Sequence, residues 1–266
     1  MNNFSSINNP YRGRIAPTPS GYLHAGNIST FKIAQERAQE KNGSLTLRIE
    51  DIDKDRCKDI YLSACIEDLK KFDITCNEGY GIGGEFAPYI QSERIAFYKK
   101  NLQNLIEHGF VYQCFCSRSE IAEKSNPSAF DENEKIFPKE LRNESTPSLL
   151  ENFTKYNWRF KVPNDIKISF FDELQGAQTF SDNIDFGDFL VWRKSDAPSY
   201  ELAVVADDIA MKITEVVRGA DLLLSTAKQL LLYSALNATP PRFAHCPLVL
   251  GDNNKKLSKS TRSISD

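Results

Sequence analysis

Two stretches at opposite ends of the chain carry side chains suited to phosphate, His24-Ala-Gly-Asn27 and Lys256-Leu-Ser-Lys259. The first follows the proline-broken turn Pro17-Thr-Pro-Ser-Gly21 and opens a helix-patterned segment, where free backbone N–H groups and the helix dipole favour phosphate oxygens. His24 can donate to those oxygens, and the small Ala25 and Gly26 let a ligand approach the backbone closely. In the second stretch, Lys256 and Lys259 can neutralise a shifting polyphosphate charge, and Ser258 adds a neutral donor. Arg14, ahead of the first stretch, and Arg218, between the two, offer planar, multi-donor forks to a carboxylate. Glu50 sits in the run Arg48-Ile-Glu-Asp51. Taken singly these are ordinary features: a turn histidine, a solvated lysine tail, structural ion pairs.

Positioning such groups takes a particular order of elements. Arg12 to Ala16 reads as a short strand, broken by Pro17, Pro19 and Gly21 before a helical stretch from about Gly26 to Lys41. Ser44 to Glu50 alternates Leu45, Leu47 and Ile49 as a strand does, and a helix-patterned segment runs from Cys57 to Phe72. Strand, helix, strand and helix at this spacing predict an α/β nucleotide-binding unit with a parallel sheet, the first turn lying at its ligand edge. A further helix is expected from Ser92 to Glu107. Beyond Phe110 the pattern changes, with short β-like runs at Trp158 to Val162, Ile166 to Phe171 and Phe189 to Arg193 separated by polar segments. Leu202 to Val205, Thr214 to Val217 and Leu248 to Leu250 read as strands returning to the main sheet, and Leu222 to Leu236 as a helix. The expected organisation is one nucleotide-binding domain over residues 1–109 and 200–266, interrupted by a β-containing lobe over 110–199.

A chain of 266 residues, 41% hydrophobic and 26% charged, can bury the core of one large domain with an insertion. No apolar run approaches the roughly 18 residues of a membrane span, and the first ten residues lack the sections of a secretory signal. A cytoplasmic protein without a membrane partner is the expectation. With 33 basic and 36 acidic side chains, the chain is not a uniformly cationic body that collects nucleic acid indiscriminately; RNA binding would need a local basic surface. Six cysteines at this length predict reduced thiols rather than a disulfide scaffold.

The run Arg14-Ile-Ala-Pro-Thr-Pro-Ser-Gly-Tyr-Leu-His-Ala-Gly-Asn27 resembles the first signature of class I aminoacyl-tRNA synthetases of the glutamyl branch, with Asn27 where the common pattern has a second His. Asn keeps hydrogen-bonding capacity but cannot become cationic, which puts the weight on His24. Lys256-Leu-Ser-Lys259 resembles the second signature, Leu257 standing where Met is usual. Arg48-Ile-Glu50-Asp51 is similar to the acidic signature of glutamyl enzymes, which implies that Glu50 receives the substrate's α-ammonium. Ser199-Tyr-Glu-Leu-Ala-Val-Val-Ala-Asp-Asp208 and Ile213-Thr-Glu-Val-Val-Arg-Gly219 resemble the substrate-pocket blocks, with Tyr200 and Arg218 at matching positions.

What the resemblance implies is a Rossmann-like class I fold with an inserted acceptor-binding-like lobe. Glutamate is then bound by Arg14, Ile15, Ala16, Pro17, Thr18, Glu50, Tyr200 and Arg218, and ATP by His24, Gly26, Asn27, Lys256, Ser258 and Lys259. ATP is a substrate accompanied by Mg2+, and the product is glutamyl-adenylate.

Within that branch the chain resembles the glutamyl-queuosine tRNA-Asp synthetase family, which transfers activated glutamate to the queuosine base of tRNA-Asp. Only residues 260–266 follow Lys259, and ordinary glutamyl-tRNA synthetases continue into helical anticodon-binding domains, so no separate anticodon-binding domain is expected. The alternatives are a glutamyl-tRNA synthetase catalytic fragment charging the 3′ end of tRNA-Glu and a noncatalytic RNA-binding paralogue. No obligate protein partner is evident. Cys114-Phe-Cys116 resembles half of a zinc site whose other half carries Tyr and Cys. Here Phe137 and Leu141 fall at those positions and supply no donor, so no structural zinc is expected.

Overall fold

The computed structural model describes residues 10–143 and 155–249. In chain order the elements are β1 (Arg12–Ile15), α1 (Ala25–Glu40), β2 (Ser44–Leu47), α2 (Asp59–Lys71), β3 (Glu78–Gly79), α3 (Ile95–Glu107), β4 (Val111–Cys114), α4 (Arg118–Lys124), β5 (Asn126–Pro127), β6 (Lys135–Ile136), β7 (Asn157–Phe160), β8 (Lys167–Asp172), β9 (Gly176–Ser181), β10 (Phe189–Arg193), β11 (Ala197–Pro198), α5 (Tyr200–Ala210), β12 (Glu215–Gly219), α6 (Leu223–Ala235) and β13 (Arg242–Cys246). They form two compact units. One comprises the described residues within 1–90, 212–219 and 241–266, the other those within 91–211 and 220–240. The sequence reading divided the chain at 109/110 and 199/200, whereas these units divide after Ile90, so α3, α5 and α6 group with the lobe.

In the first unit, β1, β2 and β3 run parallel, with Arg14 paired to Thr46 and Thr46 to Glu78. On the other side of β1, the Thr214 N–H donates to the Arg12 carbonyl at 2.9 Å, and the Arg12 N–H donates to Thr214 Oγ1 at 2.9 Å. β12 continues from there and pairs in parallel with β13, Arg218 standing opposite His245. The chain therefore crosses over to both sides of β1, which makes the carboxyl end of β1 a topological switch point, the place where open α/β sheets bind ligands. α1 buries Ile28, Phe31, Ala34 and Ala38 into the same core as Ile15, Leu45, Leu47, Val217 and Ala244.

The opposite end of this sheet is tied by one carboxylate. Glu215 is fully buried. It accepts from Tyr11 Oη at 2.8 Å, from Arg37 at 2.7 and 2.9 Å, and from Lys41 Nζ at 3.1 Å. Burial alone would push its carboxyl up, but the hydrogen bonds from Arg37, Tyr11 and Lys41 outweigh that and hold it down at about 2. Burial, together with the hydrogen bond to Glu215, pushes the Tyr11 phenol up.

The second unit holds an antiparallel sheet in the order β11-β10-β7-β4 and the β8–β9 hairpin. Asp207 of α5 is fully buried and accepts from Gln91 Nε2 at 2.8 Å, Arg94 Nε at 2.7 Å and Tyr98 Oη at 2.9 Å. Both ends of the run Gln91-Ser-Glu-Arg94 thus fasten the same buried carboxylate. A charge this deep is tolerated only when paired and hydrogen-bonded.

Two strand expectations are corrected. Leu202 to Val205 lies in helix α5, not in a strand. The Ser199 side chain caps that helix by accepting from the Leu202 N–H at 3.2 Å. Leu202 through Asp208 are all buried, so the helix is enclosed on every face and its β-branched residues carry no periodicity that would separate it from a buried strand. Among the described residues the last strand is Arg242–Cys246, ahead of the Leu248 to Leu250 segment; Leu248 and Val249 are not in a strand, and Leu250 lies outside the described residues.

Candidate active site

The turn after β1 and the start of α1 form the first wall. His24 is the N-cap of α1: its Nδ1 accepts from the Asn27 N–H at 3.3 Å, and Asn27 Oδ1 accepts from the His24 N–H at 3.2 Å. This reciprocal capping box gives Asn27 a role that needs an amide oxygen rather than a second imidazole. Because Nδ1 accepts, the neutral ring of His24 carries its proton on Nε2, the nitrogen that can donate to a ligand. A Cβ added to Gly26 would lie 3.1 Å from His24 Nδ1 and 3.6 Å from the Val249 Cβ, so the space over the first turn is a cradle that only glycine leaves open. The Asn27 and Ile28 N–H groups donate to the His24 carbonyl at 2.9 and 3.2 Å, so it is those of Ala25 and Gly26, beside this gap, that fit a phosphate.

The second wall is the end of β2. The Arg48 N–H donates to the Ile15 carbonyl at 3.0 Å and the Glu50 N–H to the Pro17 carbonyl at 3.0 Å, so the turn carrying Ala16, Pro17 and Thr18 is stitched to the one carrying Glu50. Glu50 is buried at 8% exposure, and the fully buried Arg48 donates to its Oε1 at 3.1 Å. That contact orients the carboxylate in a site from which water is largely excluded.

The third wall is the end of β12. Arg14, buried on β1, donates from Nη1 to the Val217 carbonyl at 3.0 Å, next to Arg218. Arg218 is itself buried and donates from Nε to His245 Nε2 at 3.0 Å. Sequence reasoning named Arg14 and Arg218 but missed His245, Arg48 and the Val217 carbonyl. His245 carries no signal beyond its place in an apolar run, and a backbone carbonyl carries none at all.

The first unit therefore gathers Arg14 to Thr18, His24, Gly26, Asn27, Glu50 and Arg218 at the carboxyl ends of β1, β2 and β12. Tyr200 belongs to the second unit, as the first residue of α5. Lys256, Ser258 and Lys259 lie outside the described residues. In the second unit Cys114 and Phe137 share a small apolar cluster with Tyr112, against which Cys116 and Leu141 pack. Cys116 Sγ lies 3.9 Å from the Leu141 carbonyl oxygen. The two halves of the sequence motif thus meet, and among the described residues no group of three or more His, Cys, Asp and Glu side chains gathers as a metal site would require. No described helix is long and apolar enough to cross a membrane.

Comparison with known proteins gives this geometry a family. The model of the class I tRNA synthetase (E and Q) catalytic domain matches residues 11–266. Glutamate–tRNA ligase 2 of Caldicellulosiruptor saccharolyticus is 38% identical over 251 residues, covering 93% of this chain and 52% of its own length. Glutamyl-Q tRNA(Asp) synthetase of Nitratidesulfovibrio vulgaris is 38% identical over 256 residues, 95% of this chain and 79% of that protein. The crystal structure of a glutamate tRNA ligase from Elizabethkingia meningosepticum in complex with its amino acid superposes with a TM-score of 0.80 at 32% identity, covering 94% of this chain and 52% of that one. The chain thus spans about half the length of the glutamate–tRNA ligases it matches. An α/β sheet with its switch point at β1, a β-rich lobe within it and a match over residues 11–266 place the chain in the class I tRNA synthetases of the glutamate and glutamine branch, as their catalytic domain.

Proposed function

We propose that this chain activates L-glutamate with ATP and transfers the glutamyl group to a tRNA. The observation that carries the reading is the convergence of two arginines, one buried glutamate and a glycine-opened helix start at one edge of a parallel sheet. A substrate with one ammonium and two carboxylates needs that balance of charge. Glu50 takes the ammonium, with Arg14 and Arg218 as the cationic forks for carboxylate. Tyr200 completes the set by resemblance.

One glutamate carboxylate oxygen attacks the α-phosphorus of ATP. A carboxylate oxygen–phosphorus bond forms, the bond from the α-phosphorus to the bridging oxygen breaks, and pyrophosphate leaves. No protein nucleophile is needed, and rate comes from positioning and charge stabilisation. His24 donates from Nε2, the N–H groups of Ala25 and Gly26 hold phosphate oxygens, and Lys256 and Lys259 balance the charge that moves onto pyrophosphate. Mg2+ accompanies the ATP phosphates in class I catalytic domains and screens their charge.

For the acceptor, the comparisons support the 3′ end of tRNA-Glu better than the queuosine base expected from the sequence, because the solved structure that superposes at a TM-score of 0.80 is a glutamate–tRNA ligase. The queuosine reading keeps one specific support, the 38% identity over 256 residues to a glutamyl-Q tRNA(Asp) synthetase.

Glutamate-dependent exchange of pyrophosphate into ATP, with and without tRNA, tests the activation step; no exchange under either condition refutes it and leaves a noncatalytic RNA-binding role. Labelled glutamate offered with tRNA-Glu, queuosine-containing tRNA-Asp and tRNA-Asp lacking queuosine then decides the acceptor. Label on tRNA-Glu alone identifies 3′ charging, and label on the queuosine-containing tRNA alone identifies base modification.

A further inference from the structure

His245 belongs to no motif in the sequence, yet it is fully buried on β13 and stands opposite Arg218 in the parallel register of β12 and β13. Arg218 Nε donates to His245 Nε2 at 3.0 Å. The Arg218 guanidinium carbon lies 5.5 Å from the centroid of the Phe243 ring, which stacks with the imidazole at 6.2 Å between centroids and 18° between planes. An arginine does not deprotonate in a protein, so Nε is the donor and Nε2 must present its lone pair. The imidazole is therefore neutral with its proton on Nδ1.

We propose that His245 is a positioning residue for substrate recognition: it occupies the Nε–H of Arg218 and fixes the guanidinium plane, so that a substrate carboxylate is met by the two terminal nitrogens. The inference rests on the reading of Arg218 as a glutamate-binding group. The choice of partner has a physical reason. A carboxylate in this place would also orient the arginine but would cancel the charge that attracts an anionic substrate, as Glu215 does for Arg37 at the far end of the sheet. A neutral imidazole orients without neutralising. Phe243 adds an apolar face that limits guanidinium rotation and excludes water, which strengthens the remaining interactions.

The chain has three histidines, so the imidazole nitrogens can be assigned by 15N NMR of histidine-labelled protein. His245 is expected to show an unprotonated Nε2 and a protonated Nδ1 at neutral pH; a protonated Nε2 overturns the proposal without any variant. The kinetic test uses His245→Leu, which removes the acceptor, and His245→Gln, whose Oε1 reaches the same place. In glutamate-dependent ATP/pyrophosphate exchange, the Leu variant is expected to raise the glutamate KM about tenfold or more, with the ATP KM within about twofold, whereas Gln restores the glutamate KM to within about threefold of wild type.

Equal rises in both KM values, or a glutamate KM that Leu leaves unchanged, overturn the positioning role while leaving glutamate activation intact. A wild-type protein with no glutamate response overturns the reading of Arg218 and this inference together. If the Leu variant does not fold, the NMR result and the Gln variant decide.

Discussion

Replacing Glu215 by Gln will show how much the sheet depends on a single carboxylate remote from the site. Glu215 is fully buried and takes hydrogen bonds from Tyr11, Arg37 and Lys41, with Arg242 3.5 Å away, so it ties the entry to β1, the end of α1 and the starts of β12 and β13. Its carboxyl is held down from 4.5 to about 2. At about 1.4 kcal/mol for each pH unit, that difference is roughly 3 kcal/mol of folding stability. Because the folded-state value is lowered, the contribution is fully present above pH 4.5 and is lost as pH falls toward 2. Breaking a buried ion pair by removing one partner gives a similar figure, about 3 to 5 kcal/mol.

Urea unfolding of wild type and Glu215→Gln, measured side by side from pH 7 downward, reads the gap directly, since groups common to both chains cancel. The gap is expected to be about 3 kcal/mol at pH 7 and to close as Glu215 protonates. A gap below about 1 kcal/mol at pH 7, or one that does not shrink on acidification, would refute the assignment of this knot as a main fastening of the first unit.

Two further outcomes follow from the candidate site. Gly26→Ala places a Cβ 3.1 Å from His24 Nδ1; it is expected to raise the ATP KM about threefold or more in the exchange assay while changing stability by less than about 1 kcal/mol, because the cap must shift by a few tenths of an ångström where phosphate docks. An unchanged ATP KM would remove α1 from the phosphate site. Purified reduced protein is expected to carry less than stoichiometric zinc by atomic emission, since Phe137 and Leu141 lie where two ligands would be needed; one zinc per chain would overturn the reading of the Cys114-Cys116 pair.

Much of the first unit was legible because its signals are local. Proline and glycine mark the turn after β1, and the alternation of Leu45, Leu47 and Ile49 marks β2. The helix expected from Gly26 to Lys41 runs from Ala25 to Glu40. α5 was misread because burial on all sides erases periodicity: Leu202 to Asp208 are enclosed and the run of β-branched residues looks like a strand. β13 was placed too late because Arg242 to Cys246 has no alternation, its faces being covered at every position but the first.

By itself the sequence determined which residue types are available: an imidazole near a glycine at a helix start, two arginines and a glutamate. It determined these because composition and short-range spacing are properties of the chain. Tertiary structure alone decided how they are held. Arg14 reached the Val217 carbonyl, and Arg218 came to rest on His245. Those contacts join residues as far apart as Arg14 and Val217, and only the parallel register of strands distant in sequence brings them within hydrogen-bonding distance.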